Sequence, residues 1–331
     1  MVIQLTLSQA CEAMIRYKIA AGKSTHTISD YRNSFKKLML FLPGSTKFTS
    51  ITRSQLIDFF AWLQEEYESE PDGVAPRGKV RLAPKSILNI HTNLSALWTW
   101  AVTEELFEKN IVRMIDPSPT SAPVVETFSK EDIALLLKSC DNSRTWKTRT
   151  DKTSPRPTAL RDRAMILTLL DTGCRASELC GMMFGDLNLA ANSIKVKGKG
   201  PGRDEKERLV YIGKRTAQVI WKYLLPRLDK IREDNPVFVV GNENDGRPID
   251  RCGLRQLLHR LGEKAGILNT YPHRFRHTFS INYLRNGGDI FTLQALLGHS
   301  DLQMVKRYAR IAETDSANAH RKASPVDNWK L

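Results

Sequence analysis

The stretch DPSPTSAPVVETF (116–128) places Pro117, Pro119 and Pro123 within seven residues and carries little hydrophobic periodicity. Proline fixes φ and lacks an N–H, so neither a helix nor an inner strand can run through such a segment. The 331-residue chain must fold on either side of it, and it reads as a domain over 1–115, a linker over 116–127 and a second domain over 128–331. Each part is long enough to bury a core of its own. The formal charge divides at the same place. Residues 1–127 hold 14 Lys and Arg against 13 Asp and Glu, leaving 36 and 23 of the chain's 50 and 36 to the remainder, so all but one of the 14 net positive charges lie after residue 127. An excess of that size attracts polyanions, either nucleic acid or an anionic membrane surface.

A hydrophobic share of 41% and a charged share of 26% exclude a fibrous or wholly disordered chain. The five cysteines (Cys11, Cys140, Cys174, Cys180, Cys252) are odd in number and form no C-x-x-C pair, which argues against a disulfide framework and a structural zinc site. The opening MVIQLTLSQACEAMIRYK lacks the basic start and apolar run of a signal peptide, and no segment offers about 18 unbroken apolar residues. The expectation is a cytoplasmic protein with no membrane partner.

Hydrophobic periodicity predicts two helices over 7–42 interrupted at Gly22, a third from TRSQLIDFFAWLQEEY capped by Thr52, and a fourth over KSILNIHTNLSALWTWAVTEELF. The first domain is thus a small helical bundle, with a long polar loop over 68–84. Beyond the linker, Ser129 caps a helix, and the basic insert 142–158 leads to two helices that meet at Thr172-Gly173. In NSIKVKGKGPGRDEKERLVYIG the period changes to that of two strands around a glycine-rich turn. Helices resume at KRTAQVIWKYLL.

Four stretches of the second domain carry groups suited to phosphate. In YPHRFRHTF (271–279) Pro272 opens a helix, so His273 and Arg276 share a face near its N-terminus, where free N–H groups favour anions. DTGCRASEL sets Arg175 after a glycine turn with Glu178 one helical turn on, placed to orient the guanidinium. The hairpin holds Lys199 between two glycines. The glycine-rich turn Gly198-Lys199-Gly200 resembles a phosphate-binding loop, but the full Gly-x-x-x-x-Gly-Lys-Ser/Thr pattern is missing, which speaks against a nucleotide site. Finally, LQALLGHSDLQMVKRYARI ends a helix at Gly298, leaves His299 in the turn, restarts with Ser300 and Gln303 as a capping box, and carries Tyr308. Taken singly these signals are weak, because a lone Arg-x-x-Glu is usually a surface ion pair and a lone tyrosine a core or surface aromatic.

In this order they resemble the tyrosine recombinase (phage integrase) family, in particular its Xer-like members: Arg175 with Glu178, Lys199 in Gly-Lys-Gly, His273-x-x-Arg276, Leu-Gly-His299 and Tyr308 nine residues later. The resemblance spans about 129 to 311, and the preceding bundle resembles that family's core-binding domain. The fold implied is mainly α with a small β-sheet in the catalytic domain: an N-terminal helical core-binding (SAM-like) bundle and a mixed α/β catalytic domain. The activity implied is site-specific recombination, in which the Tyr308 hydroxyl attacks a DNA phosphodiester. The reaction leaves a 3′-phosphotyrosyl link and a free 5′-hydroxyl, with no ATP, metal or other cofactor. Arg175 and Arg276 would hold the non-bridging oxygens, since guanidinium forks bind phosphate bidentately and stay charged. A phenol with a pKa of about 10 needs a base, for which His273 is the candidate. His299 would donate to the phosphate, Lys199 would protonate the leaving oxygen, and Glu178 would act through its neighbours. The resemblance assigns nothing to Arg274 or His277, and His277 reads as a packed histidine.

The partners implied are double-stranded DNA core sites, a homotetramer with a dimer on each site, neighbours joined by exchanged C-terminal tails, and accessory DNA-bending proteins. Trp329 in the tail is the expected docking residue. Arg32, Lys36, Lys37 and Lys85, with Arg144, Lys147, Arg149 and Lys152 of the insert, read as phosphate contacts that position without specifying sequence. The inserts 68–84 and 142–158 are longer than in compact Xer-like members. The 115 residues before the linker suffice for one DNA-binding bundle and leave no room for a further arm-binding domain. Three rival readings share parts of the pattern. A metal-dependent nuclease would want clustered carboxylates, of which these stretches contribute only Glu178. A type IB topoisomerase shares the residue logic without partner exchange, and a DNA-binding protein on the same scaffold would lack the chemistry.

Overall fold

The chain divides into two units, Met1–Pro123 and Val124–Leu331. A computed structural model describes residues 5–69, 80–117, 125–141, 156–199, 205–241, 246–299, 301–312, 324 and 326, with the backbone alone at 69, 199, 205, 206, 303, 304, 311 and 312. The insert with Arg144, Lys147, Arg149 and Lys152, the cap residue Ser300 and the tail with Trp329 therefore lie outside the described residues, as does the Lys199 side chain.

Capping side chains set the helix starts in the first unit. Helix α1 (Leu7–Ala20) begins at Thr6, whose hydroxyl accepts from Gln9 N while the Gln9 side chain accepts from Thr6 N. Ser24 caps α2 (Thr25–Phe41), and Thr52 with Gln55 forms a second capping box at α3 (Arg53–Glu65). The long loop is closed at its base by a two-residue antiparallel ladder, β1 (Glu68–Ser69) with β2 (Val80–Arg81). Helix α4 (Pro84–Thr103) stops short of the expected LF, because Glu105 adopts a left-handed φ of 57° and Leu106 N–H returns to Ala101 O. The core centres on Trp98, fully buried with its ring 5.2 Å from that of Phe48. Asn93 of α4 donates to Ser34 Oγ (2.9 Å), tying α4 to α2.

The second unit opens with α5 (Lys130–Ser139), capped reciprocally by Ser129 and Asp132. Then come α6 (Ala159–Thr172), the short α7 (Ala176–Cys180) and a sheet of order β3-β4-β5, formed by β3 (Leu187–Asn188), β4 (Ser193–Lys199) and β5 (Glu205–Tyr211). The sequence reading has only the last two strands; β3 is two residues long, too short for alternation to reveal it. In the antiparallel register Ile194 faces Val210 and Val196 faces Arg208, with the three apolar side chains buried and the alternate Lys195, Lys197, Leu209 and Tyr211 exposed. Helices α8 (Lys214–Leu224), α9 (Arg251–Ala265), α10 (Pro272–Arg285), α11 (Ile290–Leu297) and α12 (Gln303–Ala312) follow. The larger core includes Met165, Leu169, Ile194, Val210 and Phe275. A smaller one gathers Ile281 and Leu284 of α10, Leu293 and Leu297 of α11, and Val305 and Tyr308 of α12.

Where α6 ends, Gly173 takes φ 59°, and a Cβ there would sit 2.5 Å from Cδ1 of Phe279 on α10. Two constraints thus demand glycine at once: a left-handed turn and a close approach. Gly173→Ala is expected to destabilise the protein by about 2 kcal/mol, from left-handed strain plus displacement of Phe279. Urea unfolding measures it, and a loss below about 0.5 kcal/mol, the level of an ordinary surface substitution, would contradict the packing described.

Candidate active site

The last carbonyls of a helix have no partner within it. At the end of α11 they are taken by arginines from three other elements. Arg276 of α10 donates through Nη2 to Leu297 O (2.7 Å), Arg208 of β5 donates through Nε to Leu296 O (2.6 Å), and Nη2 of Arg175 lies 3.5 Å from Gly298 O. Gly298 has φ 64°, and a Cβ on it would press on the Arg208 guanidinium at 3.1–3.3 Å. The helix end, with its partial negative charge, is therefore the point on which three cations converge.

Arg276 is only 1% exposed and also donates through Nη1 to Gly173 O (2.8 Å), so it fastens the end of α6 to that of α11. Its Nη2 lies 2.6 Å from His299 Nε2. A guanidinium has donors only, so Nε2 accepts and the ring proton of His299 sits on Nδ1, which is buried without a partner among the described residues. Burial, with Arg276 and Arg175 next in effect, pushes His299 down to about 4 and keeps it neutral. Arg276 itself is lowered to about 10, first by burial and then by Arg175.

Arg175 precedes α7 and is the open member of the set, with a side chain 42% exposed. Its backbone N–H and its Nη1 both donate to Glu178 (2.7 and 2.9 Å). The Glu178 carboxylate is buried, and Arg208 grips it bidentately at 2.9 and 2.8 Å. Burial would raise the carboxyl's pKa, but the hydrogen bonds from Arg208 and Arg175 N–H and both charges outweigh it and hold Glu178 near 2. Arg208 escaped the sequence reading. Strand alternation puts it on the face of Val210 and Ile212, and an arginine on an apolar face requires a buried partner.

His273 stands in the first turn of α10, lowered in pKa by burial and then by Arg276 and Arg175. It lines an open cleft of about 600 Å³ together with Arg175, Tyr271 and, from α9, Arg251 and Arg255. Tyr308 is 2% exposed, and burial raises its phenol above the ordinary value. Its hydroxyl lies 2.9 Å from Nδ1 of His277, whose ring stands edge-on to that of His273 at 4.4 Å. His277, expected as a packed histidine, thus engages Tyr308 directly; its i, i+4 spacing from His273 is the signal that could have shown it. Arg274 instead anchors the start of the second unit, donating to Thr127 O and Leu268 O and covering the Phe128 ring at 4.0 Å. Lys199 ends β4 opposite Glu205. In the first unit Arg32 and Lys36 are exposed one turn apart on α2, Lys37 lies over the Tyr67 ring at 5.9 Å, and Lys85 is exposed in the first turn of α4. Among the described residues no group of three His, Cys, Asp or Glu could hold a metal, and no helix is long and apolar enough to cross a membrane.

Clustered arginines and histidines around a tyrosine, on a mainly helical unit with one small sheet, suit a DNA breaking-rejoining enzyme. Residues 127–315 match the model of the phage integrase family and residues 8–116 that of the phage integrase SAM-like domain, and the chain belongs to the phage integrase family, the tyrosine recombinases. It is 25% identical over 314 residues to tyrosine recombinase XerD of Listeria monocytogenes, covering 93% of this chain and 95% of that one. To tyrosine recombinase XerC of Corynebacterium efficiens it is 27% identical over 325 residues, covering 97% and 93%. The fold is shared with the Tn1549 transposon integrase in complex with a circular intermediate DNA (TM-score 0.73, 20% identity, 96% of this chain and 99% of that one). It is also shared with the XerH site-specific recombinase bound to a palindromic difH substrate (TM-score 0.71, 15% identity, 100% and 99%).

Because Glu178 is held near 2 against an ordinary 4.5, its charged form stabilises the fold above pH 4.5, and that contribution disappears as pH falls through 2. The contribution is about 3 kcal/mol. Glu178→Gln is therefore expected to unfold at lower urea than the wild type at pH 7, with the gap narrowing by pH 2.5. A gap independent of pH would contradict the carboxylate's place in the arginine cluster.

Proposed function

We propose that Tyr308 is the nucleophile of this recombinase and that Arg175, Lys199, His273, Arg276 and His299 serve it as the family resemblance implies, with Glu178 acting through Arg175. The observation that supports this reading most is the convergence of Arg175, Arg276, His273 and His299 beside one buried tyrosine. Arg175 and Arg276 take the non-bridging oxygens of the scissile phosphate, where charge grows as phosphorus becomes five-coordinate. His273, at the mouth of the cleft and in the first turn of α10, is the candidate base for the phenol proton. His299, held by Arg276 through Nε2, is the donor to the same phosphate that the resemblance implies. Lys199, at the end of its strand, protonates the departing 5′-oxygen. The burial of Tyr308 keeps water from the phosphotyrosyl link, so the bond is exchanged and not hydrolysed.

The substrate in this reading is a pair of double-stranded DNA core sites, each holding two copies of the chain in a homotetramer that exchanges C-terminal tails, with accessory DNA-bending proteins as further partners. Residues 1–115 form the core-binding domain, 116–127 the linker and 128–331 the catalytic domain. Arg32, Lys36, Lys37 and Lys85 contact phosphates from the first domain, and Arg144, Lys147, Arg149 and Lys152 from the insert.

Wild-type protein on a nicked duplex is expected to trap a covalent adduct, and Tyr308→Phe to bind the same duplex and trap none. Arg175→Ala is expected to slow adduct formation about a hundredfold to a thousandfold. An adduct that persists in Tyr308→Phe would sink the assignment. For the first domain, Arg32→Gln with Lys36→Gln is expected to reduce the slope of log affinity against log salt by about 1.8, the value for two phosphates. An unchanged slope would remove that face of α2 from the DNA contact.

A further inference from the structure

Two histidines one turn apart on α10 face the centre of the site, and they differ in what they reach. His273 lines the cleft with Arg175. His277 reaches the tyrosine: its Nδ1 is 2.9 Å from the Tyr308 hydroxyl, with the two ring centroids 5.6 Å apart. Burial raises the phenol's pKa, so the hydroxyl keeps its proton in the resting protein. Burial, then His273, Arg307 and Arg276, pushes His277 down to about 4, so its ring is neutral. A neutral ring that meets a protonated phenol at Nδ1 accepts there and carries its own proton on Nε2, which fixes the tautomer.

We infer that His277 is a further catalytic residue: it holds the Tyr308 hydroxyl through Nδ1 and is the first acceptor of its proton when the phenol oxygen attacks phosphorus. The inference rests on Tyr308 as the nucleophile and departs from the expectation that His273 alone is the base. In the step, the Tyr308 oxygen bonds to phosphorus, its proton passes to His277 Nδ1, and the bond from phosphorus to the 5′-oxygen breaks. The leaving oxygen takes a proton from Lys199. Reversal during rejoining returns the first proton from His277 to the tyrosine, so both protons are accounted for.

The surroundings couple this acceptor to the substrate. Around the His277 ring stand His273 and Arg276 on its own helix, and Tyr308 and Arg307 on α12. In the free protein His277 is a weak base and the phenol a weak acid, so the pair rests as O–H···N. A phosphodiester seated against Arg175 and Arg276 brings a negative charge into the same cluster. It offsets the cations that depress His277 and raises the ring's affinity for a proton. The base thus becomes competent once there is a phosphate for the tyrosine to attack.

The test compares the full-length wild type with His277→Phe, His277→Asn, Lys199→Ala and Tyr308→Phe on a nicked duplex. The scissile 5′-oxygen is used either as it is or replaced by sulfur, which leaves without a proton. His277→Phe keeps a ring in place and is expected to slow adduct formation about a hundredfold or more on both duplexes at unchanged DNA affinity. Lys199→Ala should recover on the sulfur duplex. His277→Asn, which keeps a hydrogen-bonding side chain but cannot take the proton, should fold as the wild type does and lose the rise of rate with pH that a titrating histidine produces. Cleavage by His277→Phe within about threefold of wild type, rescue of it by sulfur, or an intact pH limb in His277→Asn would each overturn the inference. An adduct in Tyr308→Phe would instead overturn the reading on which it rests. Should His277→Phe fail to bind DNA, the pH profile of His277→Asn decides.

Discussion

The end of helix α11 holds the site together. Its terminal carbonyls lack helical partners, and Arg276, Arg208 and Arg175 approach them from α10, β5 and the start of α7. Three like charges gathered on one helix end repel one another, and a single buried carboxylate, Glu178, offsets only part of that repulsion. The low value of Glu178 and the lowered value of Arg276 are two sides of the same excess. A phosphodiester is the natural complement, since its anion relieves a repulsion that exists before it arrives. Transition-state charge can then be stabilised by groups already in place.

The same constraint explains why elements distant in sequence have to meet at one place. Gly173 O and Leu297 O are acceptors on two different helices, and Arg276 joins them only because Gly173 lets α10 approach closely. Glu178 orients Arg175 on one side and receives Arg208 on the other, so strand β5, whose partner strand ends in Lys199, is registered against the arginine pair. Tyr308 enters from α12 as part of the apolar packing of Ile281, Leu293 and Leu297, which makes the proposed nucleophile a core residue.

Much of this is legible in the sequence, for local reasons. Arg175, His273 and His299 each follow a glycine or proline that sets a chain turn, so their placement near helix ends can be read without tertiary knowledge. Arg208 and His277 cannot be read in that way. Arg208 sits among charged residues in DEKERLVYIG, and only the pairing of β5 with β4 turns it inward. The spacing of His277 from His273 shows that the two share a face of α10, but its contact with Tyr308 comes from the packing of α12 on α10. The third strand goes unseen because two residues carry no alternation, and α4 ends early because of a left-handed turn at a glutamate, a residue type that seldom makes one.

The most direct measurement is a peptide map, by mass spectrometry, of the protein trapped on a nicked duplex. The expected product is the peptide containing Tyr308 carrying a 3′-phosphate-linked oligonucleotide, with a free 5′-hydroxyl on the released strand. Linkage at another residue, or a strand cut with a hydrolysed 3′-phosphate and no linked peptide, would contradict the site described.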